Sequence, residues 1–442
     1  MSYIPHTEED RRAMLEAIGV SSIEDLFVDI PESLRLREPL NLPESLDPYS
    51  ILARLKEIGR KNLALDEVVS FLGAGIYQHA IPSAVAALIG RGEFLTAYTP
   101  YQPELSQGYL QTIYEFQSMI CEITGMDVAN ASMYDGATAA AEATIMASGV
   151  TNRTKIVASK SLHPHYRQAI HTYAPATGCE VVEALWQDLP DAMDDETACV
   201  IWQYPDFFGR VLSPAALVKR AKEVGALSIC ATEPVALGVL KPPGAFGVDV
   251  VVGEGQPLGV PMGYGGPLVG FFCVTRDLIR AIPGRIVGTT HDAEGRRGFV
   301  MTLRTREQDI RREKATSNIC TNQALMALAA TIYLSLVGKN GFRSVAEACV
   351  QKAHYCAERL LQIPGVERLF PDDPFAFEFA IRLPKDADAV RDALLERGIL
   401  AGFPLGLHYP DRKDCLLVAV TEVRTREEID RFAAEMAEVL KG

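Results

Sequence analysis

Between about Val68 and Val274 the chain alternates short apolar runs with amphipathic segments, and that alternation leaves few architectures open. The runs Lys155 to Ala158, Glu180 to Ala184, Cys199 to Gln203, Ala226 to Ala231, Val248 to Val252 and Val269 to Val274 are short, rich in Val and Ile, and read as buried strands. Helical stretches such as Pro214 to Val224 lie between several of them. Strand and helix in alternation require right-handed crossovers, which predicts an α/β fold built on a largely parallel sheet covered on both faces. Just upstream, Ser106 stands as a cap for a helix with Leu110, Ile113, Phe116, Ile120 and Ile123 along one stripe, stopped by Gly125.

Three regions follow from this reading. Residues 1–65 are polar and proline-dotted, with helical patterns at Glu8 to Ile18 and Pro48 to Glu57, the second capped by Asp47. They form an arm that has no core of its own and is expected to pack on the main body or on another subunit. Residues 66–320 form the large α/β domain with its mainly parallel sheet. Residues 321–442 begin with a linking helix, Thr321 to Val337, striped by Leu325, Leu328, Ile332 and Leu336 and ended by Gly338. A small α/β layer comes next, with strands at Phe375 to Leu383 and Cys415 to Thr421 and helices at Ala387 to Arg397 and Thr425 to Leu440.

Composition excludes several roles. A net charge of -14 with only short basic runs argues against nucleic acid as a partner. The start, Met1 to Arg11, is charged where a secretory leader needs an apolar stretch, and no uninterrupted apolar run is long enough for a bilayer, so no membrane role and a cytoplasmic location are expected. Nine cysteines, including Cys230, Cys273 and Cys320, show neither a CxxC pair nor a ligand rhythm; they read as reduced, mostly buried thiols, with no metal site.

A large parallel-sheet domain, a long linking helix and a small C-terminal α/β domain resemble the layout of the pyridoxal-phosphate (PLP) dependent transferases of fold type I. That cofactor needs a turn at a helix N-terminus for its phosphate, an acidic partner for its pyridine nitrogen and a lysine for its imine. Tyr134-Asp135-Gly136-Ala137-Thr138 precedes an alanine-rich helix, so Gly136, Ala137 and Thr138 form a candidate, vestigial phosphate turn; an ordinary Asp-Gly turn explains the same residues. The lysine is expected after the strand Val248 to Val252, where the chain reads Gly253-Glu254-Gly255-Gln256-Pro257-Leu258. No lysine occurs between Lys241 and Lys314, and neither Lys160 nor Lys314 follows the right strand. The Gln256 amide cannot form an imine, so this chain is expected to bind no cofactor. Where the acid should stand, the strand offers Cys230, with Glu233 beyond it. His163 and His165 lie where related enzymes place a ring-stacking residue, and without PLP a structural role is favoured for them.

The run Arg306-Glu307-Gln308-Asp309-Ile310-Arg311-Arg312-Glu313-Lys314-Ala315-Thr316-Ser317-Asn318-Ile319-Cys320-Thr321-Asn322 is similar to the signature stretch of glycine decarboxylase P-proteins. Tyr98-Thr99-Pro100-Tyr101-Gln102-Pro103-Glu104, Ser106-Gln107-Gly108, the opening Tyr3-Ile4-Pro5-His6-Thr7 and Gly263-Tyr264-Gly265-Gly266-Pro267 strengthen the resemblance, which spans roughly the first three quarters of the chain. P-proteins are long single chains with two homologous halves or pairs of separate subunits, and this length with Gln256 resembles the separate first subunit. The resemblance implies a second, PLP-bearing P-protein subunit as partner. It also implies glycine as substrate and the lipoyl arm of H-protein as acceptor of the aminomethyl group. It places Tyr98, Thr99, Tyr101, Gln102 and Glu104 in a loop, stiffened by Pro100 and Pro103, that lines the partner's active site; packing at the interface alone is the competing role. Arg304, Arg306, Arg311 and Arg312 are candidates to receive a carboxylate or an acidic partner, or to pair with Glu307 and Glu313 at a domain junction. Two other functions stay open: a non-catalytic scaffold that docks H-protein, and a free-standing PLP amino-acid decarboxylase.

Overall fold

The computed structural model describes residues 4–36 and 38–441; Tyr3 of the opening motif lies outside them. The chain divides into two compact units, Met1–Leu63 and Ala64–Gly442.

The first unit carries two helices, Glu8–Ile18 (α1) and Pro48–Gly59 (α2). Thr7 and Asp10 form a capping box on α1, and Asp47 accepts from the Tyr49 and Ser50 amides at the start of α2, with Pro48 where its missing N–H costs nothing. Neither helix has a buried residue.

In the second unit, seven strands form one sheet: Val128–Ala129 (β1), Lys155–Ser159 (β2), Glu180–Ala184 (β3), Thr197–Tyr204 (β4), Leu227–Thr232 (β5), Val250–Glu254 (β6) and Gly270–Val274 (β7). Their order is β1-β7-β6-β5-β4-β2-β3. Only β7 runs against the others; β2 pairs in parallel with both β3 and β4, and β5 and β6 continue outward from β4. Nearly every residue of β4 to β7 is buried, as expected for a sheet covered on both faces. The connection therefore leaves β2 toward one edge and returns past it toward the other, which puts a topological switch point at the carboxyl ends of β2 and β4.

Three helices bear on the site: Gln107–Thr124 (α3), Gly136–Thr151 (α4) and Pro164–Tyr173 (α5). Ser106 occupies the cap of α3, but its side chain accepts no hydrogen bond there; the predicted stop, Gly125, holds at φ 70°. The linking helix runs Ala324–Leu361 (α6), three residues later than predicted and far beyond Gly338. Gly338 does break it, at φ 60° and ψ -178°, but the chain re-enters helix at once. The reason is Phe342, Ala346, Cys349, Ala353 and Cys356, which repeat the buried stripe beyond the break. The apolar residues Met326 to Leu334 of this helix are mostly core. Strands Glu378–Arg382 (β8) and Cys415–Ala419 (β9) pair antiparallel in the small sheet, flanked by helices Ala387–Leu395 (α7) and Arg426–Lys441 (α8). Residues of β8 and β9 lie in the same continuous hydrophobic core as β4 to β7.

Candidate functional site: a filled cleft and an exposed loop

The cleft at the carboxyl ends of the strands contains the phosphate turn, the lysine position, the acid position and the ring-stacking position expected for PLP, and each is already engaged by protein. At the turn, Asp135 Oδ1 accepts the Thr138 N–H at 2.8 Å, so the first turn of α4 is capped internally, with Ala137 half-buried inside it. The Gly136 N–H donates to Glu254 Oε2 at 3.0 Å. The other oxygen of that carboxyl accepts the Gln256 N–H at 2.9 Å and the Val269 N–H at 3.0 Å. A side chain at 136 would stand 1.9 Å from the Tyr166 hydroxyl, so only glycine fits under that phenol. The helix N-terminus that would cradle a phosphate is thus answered by a carboxyl group at the end of β6.

Gln256 is buried and its amide is fully used. Its Oε1 accepts the Tyr77 N–H at 3.1 Å, while its Nε2 donates to the Tyr77 carbonyl at 3.2 Å and the Val260 carbonyl at 2.8 Å. A glutamine offers both an acceptor and donors, which an ammonium cannot. The segment it clasps, residues 73–77, enters the cleft from outside the sheet. The Ala74 N–H donates to Glu378 Oε1 at 2.7 Å and the Tyr77 hydroxyl to Glu378 Oε2 at 2.9 Å. Gly75, at φ 101°, lies against the His163 ring so closely that a Cβ would be 2.8 Å from Nε2.

His163 caps α5: its Nδ1 accepts the His165 N–H at 3.1 Å, and its Nε2 donates to the Ala74 carbonyl at 2.8 Å. Those partners define the neutral tautomer, and burial drives the imidazole down to about 4. His165 is exposed and packs edge-on to it. Glu233 accepts from the Val235 and Ala236 amides at 2.9 and 2.7 Å, capping the short turn after β5, and burial pushes it up to about 6. Cys230 lies fully buried within β5. Burial also raises Glu254 and Glu378 to about 7 each, against the hydrogen bonds that favour their charged forms. At the positions PLP would use, residue 256 offers an amide and no imine-forming amine, Glu254 answers the phosphate turn, and Gly75 covers the His163 ring.

The opposite situation holds in residues 96–106. Tyr98 is 84% and Tyr101 53% exposed, and the side chains of Gln102 and Glu104 are exposed without a hydrogen bond among the described residues. The loop is nonetheless anchored. Pro100 is buried, and Gln107 clamps the loop's end to the hairpin Ile286–His291 and Arg297–Thr302 through the Phe299 carbonyl at 2.8 Å and N–H at 2.8 Å. Arg285, almost fully buried, donates to the Cys320 carbonyl at 2.9 Å, Thr321 Oγ1 at 3.1 Å and Thr99 Oγ1 at 3.5 Å. Its guanidinium carbon lies 5.7 Å from the Tyr101 ring centre, and that of Arg304 lies 5.8 Å from the same ring. Arg306 is turned inward, onto the Ile282 and Gly284 carbonyls. The expected ion pairs differ in detail: Arg304 pairs with Asp309 at 3.0 Å, Glu307 lies 3.9 Å from Arg285, and Arg311 and Arg312 make no ion pair among the described residues. Arg285, Gln107, Glu254 and Tyr77 are participants that sequence reasoning missed. For Glu254 the signal was available, since it stands two residues before the amide in the window where the lysine is expected.

His79, Cys349 and Glu422 also converge, a grouping absent from the sequence reading of the cysteines. Glu422 Oε2 receives His79 Nδ1 at 2.7 Å and the Cys349 thiol at 3.3 Å, and Oε1 receives the Ala80 N–H at 2.6 Å. Burial holds the thiol protonated, so these contacts form a hydrogen-bonded network around one carboxylate.

Fold and cleft together define a member of the fold type I architecture of PLP-dependent enzymes. A C-DES structure with glycine linked to its PLP cofactor superposes with a TM-score of 0.62 at 18% identity, covering 85% of this chain and 97% of that one. The family model described as glycine cleavage system P-protein matches residues 1–436, and the chain belongs to that family. It is 51% identical over 443 residues to the probable glycine dehydrogenase (decarboxylating) subunit 1 of Geobacillus kaustophilus, spanning 99% of this chain and 98% of the relative. A crystal structure of glycine decarboxylase (P-protein) in inhibitor-bound form matches it with a TM-score of 0.91 at 44% identity, covering both chains completely.

Proposed function

We propose that this chain is the cofactor-free subunit of a two-subunit glycine decarboxylase. With a PLP-bearing partner subunit it decarboxylates glycine and passes the aminomethyl group to the lipoyl arm of H-protein. The observation that carries the reading is the state of the cleft: Gln256 and Glu254 are bonded to the chain's own backbone, which leaves no amine and no phosphate site. Where PLP is bound, it serves as the electron sink for the carbanion left by decarboxylation. This chain's own part is the loop. Tyr98, Thr99, Tyr101, Gln102 and Glu104 supply hydroxyl, amide and carboxylate groups on an anchored backbone, so little entropy is lost when a neighbouring site closes on them. Arg304 lies under Tyr101 with its side chain 37% exposed, a guanidinium suited to a carboxylate arriving at the loop. A cytoplasmic location completes the proposal.

The test is exchange of the glycine carboxyl group with bicarbonate by the reconstituted two-subunit complex. Tyr98→Phe with Tyr101→Phe is expected to lower the rate by about 10²-fold, the order seen when a positioned proton donor is lost. An unchanged rate in a correctly assembled complex would reduce the loop to interface packing and leave the chain a scaffold.

A further inference from the structure

The switch point between β2 and β4 opens outward into a second cavity of about 430 Å³, separate from the filled cleft. Its floor comes from the carboxyl ends of three neighbouring strands: Lys160 after β2, Trp186 after β3 and Phe208 after β4. Phe370, Tyr409 and Arg412 of the small domain close the other side. In open α/β sheets this crevice is where ligands bind, and the volume lies in the range of small-molecule sites.

The walls have two chemical features. Four are aromatic, and three of them form one surface: Phe208 lies 5.0 Å from Tyr409 and 5.4 Å from Phe370, ring centre to ring centre. The second feature is cationic charge that carboxylates compensate only loosely. Arg210, also in the lining, is neutralised by Asp206 at 2.6 Å and Asp373 at 3.3 Å. Arg412 is different. Its carbon lies 4.7 Å from the Phe208 ring centre, its nearest carboxylate is Asp411 at 3.9 Å, and its Nη1 is buried with no hydrogen-bond partner. Lys160 is exposed and its ammonium makes no ion pair among the described residues. A buried guanidinium N–H without an acceptor is costly, and a hydrogen-bond acceptor brought to it would relieve that cost.

We infer that this cavity is a binding site for a small planar aromatic anion, a flat ring carrying one carboxylate or phosphate. The ring lies among Trp186, Phe208, Phe370 and Tyr409, and the anion meets the partly exposed Arg412 guanidinium and the Lys160 ammonium. None of these residues belongs to the loop assigned to the partner's site, so the inference stands or falls separately from the proposed function.

Titration calorimetry on the full-length chain tests it with three probes: AMP, 4-hydroxybenzoate and inorganic phosphate. Submillimolar binding of AMP or 4-hydroxybenzoate is expected, and the better of the two tells phosphate from carboxylate. The bound probe should change the emission of Trp186, which is distinguishable because the other tryptophan, Trp202, is fully buried. Arg412→Gln and Lys160→Gln should each weaken binding about tenfold, as the loss of one charge-assisted contact does. Lys160 is exposed, so its variant folds whatever happens to Arg412→Gln, and unchanged affinity in that variant would overturn the inference. So would failure of both ring-bearing probes to bind at millimolar concentration, or inorganic phosphate binding as tightly as either.

Discussion

The filled cleft and the exposed loop show two ways of using polar residues. In the cleft, Gln256, Glu254, Glu378 and His163 are buried and each of their polar atoms meets a backbone or side-chain partner within about hydrogen-bond distance. In the loop, Tyr98, Gln102 and Glu104 face solvent, while Arg304 Nε and Glu307 Oε1 beneath it are buried and unpartnered. Satisfied polar groups stabilise a fold and have nothing left to offer a ligand. Unsatisfied ones on a rigid support are what a second protein can complete. The contrast sets a cleft whose polar groups are satisfied within the chain beside a loop whose polar groups are not.

The largest effect is expected from restoring what the cleft lacks. Gln256→Lys removes the acceptor for the Tyr77 N–H and buries an ammonium between carbonyls, so it should destabilise the chain by ~3–5 kcal/mol, measured by urea unfolding. It should also fail to give the chain a cofactor, because Glu254 and Gly75 keep their places. Stable folding of this variant with PLP bound would break the distinction between the two regions. Next comes the loop: Arg304→Ala should lower the exchange rate of the reconstituted complex about tenfold with the isolated chain's melting temperature unchanged, since Arg304 is 37% exposed and its ion pair to Asp309 is near the surface.

A smaller effect sharpens the cleft side. Glu254→Gln leaves one of three backbone N–H donors poorly answered and should cost about 1–2 kcal/mol. Its pH dependence has a definite sign. Glu254 is raised from 4.5 to about 7, so the folded state holds its proton more tightly than the unfolded chain. Its contribution is fully present below about 4.5 and is lost as pH rises through about 7. The gap in stability between wild type and Glu254→Gln should therefore be larger at pH 5 than at pH 8, in thermal scans at both values. A gap that widens with pH would mean the carboxyl is held as an anion.

Much of the framework was legible in the sequence, because it depends on local pattern. The buried strands have the composition of a doubly covered sheet, and the amide at 256 is visible as soon as the strand before it is placed. The limits are equally physical. The cap at Ser106 failed because residue type states only that a hydroxyl is available, and whether it turns toward the helix depends on the backbone entering it. The break at Gly338 was readable, but the helix beyond it continues because tertiary burial overrides one glycine. The plug in the cleft could not be read at all: Tyr77 and Gln256 are 179 residues apart, and Ala74 and Glu378 are 304 apart. Nothing local in residues 73–77 announces that they pack into the cleft at the strand ends. For the loop, the sequence offered the tyrosines and prolines, and the Arg285 shelf that holds them came only with the fold.

The sharpest check is to purify this chain together with its partner subunit, reduce the complex with borohydride and map the pyridoxyl label by mass spectrometry. The label should fall on a lysine of the partner and leave every peptide of this chain unmodified. A pyridoxyl group on any lysine here, Lys160 and Lys314 included, would contradict the account.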